Sequence, residues 1–299
     1  MGLGRIGIIA VFAVLLLAPA VIAAPQEVNV GTYVLNIGEY DVAKGSYKAD
    51  FYLWFEWTGS KSPENFEIMN GRIEEKKLIY DETGYLFYRI HANLYDKVNV
   101  KDYPLDKQLI SIKIEDELLS ADEMAYVPLD NDSGYSEDMD LSGWEISGAK
   151  SEVRNTYYKN FDDRYSRYTY SIELARPISA FYRMLIPILF IGLSTWLCFF
   201  IPLHKLDEKL ILGGGTLISA IAFHIYLTDP LPSIGYLTLA DKYMISLYAL
   251  ILPVLVSMII VERLVVGQKH QAAEHINTTY AILSLFMPVV TFLVLNYLF

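Results

Sequence analysis

Cysteine is almost absent from this chain: the 299 residues contain one, Cys198, and it lies in an apolar segment. A single cysteine excludes an intrachain disulfide and any cysteine-rich zinc site. The five histidines are scattered, and no nucleophile–base pair or phosphate-binding loop is recognisable. The Gly-x-Gly-x-x-Gly match at residues 2–7 follows no strand and carries no weight. We therefore predict no enzyme active site, no metal site and no cofactor, and we expect Cys198 to pack in a core.

Basic residues are scarce in the first half of the chain. Residues 25–176 contain 17 Lys and Arg against 29 Asp and Glu, a net charge of −12, whereas residues 177–299 are largely apolar and contain six of each. An acidic domain argues against nucleic acid as a partner, because phosphates are bound by basic patches. The composition predicts an acidic soluble domain over residues 25–176 and a membrane domain over residues 177–299.

The first 24 residues have the pattern of a secretory signal peptide. Arg5 provides the positive start, residues 6–17 are apolar, and small residues near Ala23 suit cleavage. A retained anchor helix is the alternative.

The soluble part has the patterning of β-structure. Residues 110–114 and 168–174 alternate between apolar and polar side chains, which is typical of half-buried strands. Residues 47–57 are rich in aromatics and predict a strand buried on both faces. Turn residues at 44–46, 70–71, 131–134 and 142–143 separate short strands. We predict an antiparallel β-sandwich.

Four apolar segments follow, each close to the roughly 20 residues that a membrane helix needs. They cover residues 184–203, 210–228, 243–261 and 276–298. Positive charges are concentrated between the first and second segments and between the third and fourth. The positive-inside rule makes those loops cytoplasmic. This predicts a four-helix bundle in the plasma (inner) membrane, with the soluble domain and the C-terminus on the extracellular or periplasmic side.

The second apolar segment has acidic residues at both ends. Asp207 and Glu208 precede it and Asp229 follows it. Carboxylates at both mouths of a membrane helix suit a cation pore, because they favour positive ions and oppose negative ones. An ordinary span with solvated acidic ends is the alternative. The run Gly213–Gly215 allows either close helix packing or a flexible point, and the sequence does not choose between them.

Several motifs resemble the pentameric ligand-gated ion channels, the Cys-loop receptor superfamily. They are Tyr103–Gln108, Gly143–Ile146, Arg176-Pro177 before a first span that contains Pro187, Asp207–Lys209, and Leu231–Thr238. Their order and spacing match the family over nearly everything after residue 28. The short 264–275 connection and the absent disulfide are typical of the prokaryotic branch.

The chain also departs from the family pattern. Asp96 and Ile110 occupy the positions of the two disulfide cysteines, so we expect packing to hold that loop. The outer domain is short between Trp57 and Tyr85, and residues 66–70 replace the usual Trp-x-Pro binding segment. A standard amino-acid or amine pocket is therefore in doubt.

The resemblance implies a homopentamer whose second span lines the pore. The expected gate and pore residues are Ile211, Gly215, Ile218, Ala222 and Ile225, with selectivity at Asp207 and Glu208 on the inner side and Asp229 on the outer side. The isoleucine rings can close by dewetting. His224 is off this stripe and is expected to face a neighbouring helix, either as a proton sensor or as a hydrogen-bonded packing residue.

The resemblance also implies a ligand site between adjacent outer domains, capped by a hairpin at residues 155–168. Candidate ligand-binding residues are Tyr52, Trp54, Tyr126, Asn131, Tyr135, Tyr157, Tyr158 and Phe161. The alternative is that these aromatics simply pack. Candidate coupling residues, where the sandwich meets the membrane, are Pro104, Asp106, Lys44, Arg176 and Pro232. The acids at 130–140 follow no recognised calcium-loop spacing.

The sequence thus predicts a cation-selective pentameric ligand-gated channel, opened by an extracellular cue such as a proton, a divalent cation or a small molecule. Its partners would be four identical subunits, the lipid bilayer, permeant monovalent cations and an unidentified agonist. The alternative is a membrane-anchored sensor of the same fold that conducts little or nothing.

Overall fold

The computed structural model describes residues 24–38 and 40–298. The predicted signal peptide therefore lies outside the described residues, apart from Ala24. The described residues of the outer domain form ten strands: β1 Gln26–Ile37, β2 Ser46–Trp57, β3 Phe66–Ile68, β4 Gly71–Glu82, β5 Tyr85–Tyr95, β6 Lys107–Asp116, β7 Met124–Pro128, β8 Gly134–Tyr135, β9 Glu145–Tyr158 and β10 Asp163–Ala175.

The strands form two sheets that pack face to face. One has the order β4-β5-β2-β1-β7, with β8 beside β1, and the other has the order β3-β6-β10-β9. All pairs are antiparallel except β1–β7 and β1–β8, which are parallel. The predicted β-sandwich is confirmed, with a parallel edge that local alternation did not show.

Strand β2 shows how the sandwich core forms. Its alternate residues Tyr47, Ala49, Phe51, Leu53 and Phe55 are buried, and the residues between them are partly or fully exposed. The prediction that this strand is buried on both faces is wrong. Within one chain only the inner face of the sheet is covered by the second sheet, so the other aromatics of β2 remain on an outer surface.

Four long helices follow the sandwich: α1 Ile178–Leu197, α2 Leu206–Thr228, α3 Leu239–Val266 and α4 His270–Leu298. All four are long and apolar enough to cross a membrane, as predicted. The helices begin before the predicted apolar segments because their first turns also contain polar residues, and α1 ends at Leu197 rather than at the predicted residue 203. Thr238 and Asp241, for example, form a reciprocal capping box that begins α3.

Burial differs strongly among the helices. Helix α3 is central and contributes residues such as Met244, Ile251 and Val254 to the bundle core, whereas in α4 the described buried residues are Ala273 and Ser284 alone. Cys198 follows α1 in a short 3-10 turn and is buried, as predicted. The many exposed apolar side chains of α1, α2 and α4 are suited to lipid or to neighbouring subunits.

The two domains meet at the beginning of α3. The backbone N–H of Leu239 donates to the carbonyl of Lys101 at 2.8 Å, and the N–H of Ala240 donates to that of Tyr103 at 3.0 Å. The Tyr236 hydroxyl accepts from the N–H of Val100 at 3.2 Å. The turn after β5 therefore lies directly on the membrane bundle.

Candidate functional site

One face of α2 is exposed along its whole length. The six residues of the predicted pore stripe are all on it: Ile211, Gly215, Ile218, Ala222, Ile225 and Asp229. The buried residues of α2 are Lys209, Gly213, Thr216, Ala220 and Leu227. At about 100° per residue these two sets lie on opposite sides of the helix. The fold therefore leaves the stripe exposed within its own chain.

The acidic ends of this face are also exposed. Asp207 and Glu208 lie in the first turn of α2, and Asp229 follows the last turn. Glu208 is not alone, because Lys205 Nζ lies 2.7 Å from Glu208 Oε1. The inner acidic end thus contains a neighbouring cation, a pairing that analysis of the sequence did not consider.

The three glycines of α2 have different surroundings. A Cβ atom on Gly213 would lie 2.9 Å from Leu255 Cδ2 and 3.1 Å from Met258 Cε, both on α3. A Cβ on Gly214 or Gly215 would meet nothing within 4 Å. Close helix packing therefore accounts for Gly213, whereas Gly215 is part of the exposed stripe.

His224 faces α3, as its position off the stripe predicts. Its Nε2 lies 3.0 Å from Asp241 Oδ1, and its Nδ1 lies 3.2 Å from the Tyr248 hydroxyl. Asp241 also caps α3 through its contacts with Thr238. Both ring nitrogens of His224 have hydrogen-bond partners, as expected if His224 is a packing residue. Proton sensing stays a prediction.

Three of the predicted coupling residues come together beneath the sandwich. Arg176 Nε donates to Asp106 Oδ1 at 2.6 Å, and the guanidinium lies over Trp144 at 4.3 Å and over Tyr103 at 5.0 Å. Pro104 lies between Tyr103 and Asp106 in the same turn, after a cis peptide bond. The Asp106 side chain is only 1% exposed. This is a charge pair in a largely desolvated layer between the two domains.

The other two predicted coupling residues are in different loops. Lys44 is in the β1–β2 turn, where its Nζ forms an ion pair with Asp41 at 2.6 Å. Pro232 is in the α2–α3 connection and is half-buried.

A carboxylate holds the loop that the family closes with a disulfide. Asp96 accepts hydrogen bonds from the backbone N–H and hydroxyl of Ser111, from the Tyr47 hydroxyl at 2.7 Å and from Lys113 Nζ at 2.6 Å. The expectation that packing alone holds this loop is therefore corrected. The partner of Asp96 is Ser111, one residue beyond the expected Ile110, and the link is polar. Burial, and then the charge of Asp96, raise the pKa of Tyr47 well above its usual range.

The hairpin of β9 and β10 contacts a second buried polar group, which lies on the neighbouring strand β6. Glu115 of β6, whose side chain is 3% exposed, accepts from Arg167 Nε at 2.7 Å and from the Tyr158 hydroxyl at 2.8 Å. Arg167 Nη2 also donates to that hydroxyl at 2.8 Å. Burial, and then the hydrogen bond to Glu115, raise the pKa of Tyr158. Tyr157 and Phe161 are exposed beside it. Glu115 and Arg167 are not among the predicted site residues. The alternation in β6 and β10 places both on the strand faces that point away from the apolar core.

The remaining ligand candidates do not reach the hairpin within one chain. Tyr52 and Trp54 are on the outer face of β2, where both rings contact Phe87, and β2 belongs to the other sheet. Any site that combines them with Tyr158 requires two adjacent subunits.

The last three ligand candidates come from β7 and the segment that follows it. Asn131 is exposed, and Tyr135 is half-buried in β8. Tyr126 is 3% exposed and its ring lies 6.0 Å from that of Phe55 in the sandwich core. Burial raises its pKa well above the usual range. Because its side chain faces the core, Tyr126 does not enter the ligand site that we propose below.

An acidic surface adjoins the hairpin. Glu67 of β3 pairs with Glu115 of β6 across the sheet. Burial, and then the nearby charges of Glu117, Glu115 and Asp116, raise the pKa of Glu67. This face is suited to a positively charged group more than to an anion.

No family model matches the chain. Among proteins of known function, it is 21% identical over 257 residues to a proton-gated ion channel of Gloeobacter violaceus, with 77% of this chain and 71% of the relative covered. It is 22% identical over 204 residues to gamma-aminobutyric acid receptor subunit beta-4 of Gallus gallus, with 67% and 41% covered. It is 26% identical over 137 residues to neuronal acetylcholine receptor subunit alpha-6 of Rattus norvegicus, with 46% and 28% covered.

These relatives are an ion channel and receptor subunits, and none is named as an enzyme. This chain spans less than half the length of the two animal subunits. The order of a β-sandwich and four membrane-length helices, the turn at Tyr103–Gln108 and these similarities agree with one another. In sequence and in architecture the chain is similar to the pentameric ligand-gated ion channels.

Proposed function

We propose that five copies of this chain form a cation-selective channel in the plasma membrane, with residues 25–176 as the ligand-binding domain and residues 177–299 as the channel domain. The observation that carries the proposal is the exposed face of α2. It is uncovered from end to end within the chain, it lies opposite the buried face of the helix, and acids stand at both of its ends.

The stripe suggests how such a pore would close. Ile211, Ile218 and Ile225 are exposed by 76%, 70% and 62% respectively, so their side chains are available to line a pore. Five copies of each would form apolar rings that exclude water when narrow. Gly215 and Ala222 leave wider spaces between the rings. Glu208 and Asp207 at the inner mouth, and Asp229 at the outer mouth, would favour cations over anions.

Opening is proposed to begin at the hairpin and to pass through the Arg176–Asp106 pair. The ligand site would lie between adjacent subunits, with the hairpin residues Tyr157, Tyr158 and Phe161 on one side and the outer face of β2 on the other. Because the turn with Asp106 is hydrogen-bonded to the beginning of α3, a displacement of the sandwich would reach the bundle directly. A coupling free energy of about 1–3 kcal/mol is typical of such two-state transitions.

Protons are the first cue to test, since one relative is a proton-gated channel. The purified chain is reconstituted in liposomes with a Na⁺ gradient, and patch-clamp current is recorded while the outer solution steps from about pH 7.5 to about pH 5, across the usual titration range of histidine. Current that reverses near the Na⁺ potential supports the proposal, and Glu208→Gln should then move that potential towards the Cl⁻ potential.

Silence at both pH values leaves an unidentified agonist or a non-conducting sensor. Ile218→Ala separates these, because a smaller side chain weakens the apolar ring and should give current without any cue. Ile221→Ala is the matched control, since Ile221 lies on α2 outside the stripe. Continued silence of Ile218→Ala, in protein that assembles normally, would refute the channel and favour the sensor.

A further inference from the structure

The inner end of α2 contains a buried lysine. Lys209 is 2% exposed, although it directly follows the exposed Glu208. It forms no ion pair with any carboxylate in the described part of the chain. A buried ammonium group without a counter-charge is costly in a membrane domain, so its single polar partner gains importance.

That partner comes from the outermost helix. Lys209 Nζ donates to Oδ1 of Asn277 in α4 at 3.3 Å. The same carboxamide donates from its Nδ2 to the carbonyl of Phe199 at 3.1 Å, and Phe199 lies in the short turn after α1. One side chain of α4 thus joins the end of α1 to the beginning of α2. We call these three residues, Phe199, Lys209 and Asn277, the inner junction.

The inner junction constrains the rotation of α2 about its own axis. Lys209 precedes Ile211 by two residues, which places the two side chains about 160° apart around the helix. While Lys209 is held towards α4, Ile211 and Glu208 must face away from the bundle. A carboxamide on α4 therefore determines where the inner carboxylate points, although α4 itself is far from the stripe.

We propose that Asn277 is a positioning residue for ion selectivity, which acts through Lys209 to orient Glu208 at the inner mouth. This inference rests on the proposed cation channel. Helix α4 packs mainly along α3, and Asn277 is the side chain through which it also contacts the end of α1 and the beginning of α2. Other polar contacts of α4 lie further along the helix, where Trp196 Nε1 donates to the carbonyl of Ala281 at 3.3 Å and Lys242 Nζ donates to Asn296 Oδ1 at 3.2 Å.

The test compares the two ends of α4. Asn277→Leu removes the acceptor of Lys209, and Asn296→Leu removes the equivalent acceptor of Lys242, which is 6% exposed. Reversal potentials are measured in liposomes under a NaCl gradient. A purely structural defect lowers the amount of current but leaves the reversal potential in place. We expect Asn277→Leu to move the reversal potential towards the Cl⁻ potential and Asn296→Leu to leave it unchanged.

A conservative variant completes the test. Asn277→Asp keeps an oxygen for Lys209, so it should retain the wild-type reversal potential. If Asn277→Leu does not assemble, Asn277→Ser, which is shorter and polar, is judged by the same criterion. An unchanged reversal potential in Asn277→Leu or Asn277→Ser, or an equal shift in Asn296→Leu, would overturn the inference while leaving the channel intact. Absence of current from the wild-type chain under every cue would instead overturn the proposed function, and the inference with it.

Discussion

Arg176→Gln is the substitution whose effect the structure defines most sharply. It removes the cation beside the carboxylate of Asp106, which is 1% exposed. A remaining partner is Gln108, which donates a hydrogen bond to that carboxylate at 2.6 Å. Breaking a buried ion pair costs about 3–5 kcal/mol. The Arg176 side chain is itself 18% exposed and Gln108 still donates, so we expect the free energy of unfolding to fall by about 3 kcal/mol, the lower end of that range.

A double-mutant cycle isolates the pair. Asp106→Asn alone should cost about 2 kcal/mol, because Arg176 keeps some solvent and its contact with Trp144. The double variant contains no buried charge and should cost about 2 kcal/mol rather than the sum of about 5 kcal/mol. Unfolding by guanidinium chloride in detergent is followed by tryptophan fluorescence. Trp144 reports on this region because it lies beside the Arg176 side chain.

Lys107→Gln provides a matched control for this cycle. Its Nζ lies 2.6 Å from Glu173, the same distance as in the buried pair, but the two side chains are 65% and 42% exposed. Solvent screens such a pair, so stability should hardly change. Equal effects of Lys107→Gln and Arg176→Gln, or full additivity in the cycle, would refute the reasoning. Agonist-evoked current should also fall in Arg176→Gln and recover in part in the double variant.

Three further predictions follow from single contacts. Lys205→Gln removes the cation beside Glu208 and should move the reversal potential closer to the Na⁺ potential; a shift the other way would contradict it. Gly214→Ala should stabilise the chain by up to about 1 kcal/mol because nothing occupies the added space, whereas Gly213→Ala must shift the side chains of Leu255 and Met258 and should gain less or lose stability, as thermal unfolding would show. Tyr126→Phe removes a buried hydroxyl that has no partner in the described structure and should stabilise by about 1 kcal/mol. Burial raises the pKa of Tyr126 in the folded state, so the protonated tyrosine keeps its full effect on stability below about pH 10, and stability falls at higher pH. The free energy of unfolding should therefore decrease less steeply between about pH 8 and about pH 11 in the variant than in the wild type.

The sequence was most informative where a regular period repeats. The α2 stripe is chosen by the resemblance, because every face of this segment is apolar; the helical period then places its members on one face, and the same residues are exposed in the fold. The turn at Tyr103–Gln108 is likewise identified by its resemblance to the family's turn. Both are local features that depend little on the rest of the structure.

Contacts between distant residues could not be predicted in this way. Tyr47 and Asp96 are 49 residues apart, and Arg167 and Glu115 are 52 apart. Each pair meets because of strand pairing and sheet packing that no local pattern specifies. The same reason explains why Tyr126 stands among the ligand candidates. Tyr126 and Tyr52 both have apolar neighbours in the sequence, but one side chain faces the sandwich core and the other faces outward.

The link between the domains at the start of α3 is made by main-chain atoms. The first N–H groups of a helix lack partners within the helix, and here those of Leu239 and Ala240 find them in carbonyls of the turn at Lys101 and Tyr103. Alanine scanning leaves both bonds intact, since it alters only side chains. A survey of this region by conventional mutagenesis would therefore rank it as unimportant even if it transmits the opening movement. Replacing the amide of Leu239 or Ala240 by an ester, through incorporation of the corresponding α-hydroxy acid, removes one donor at a time and keeps the side chain unchanged.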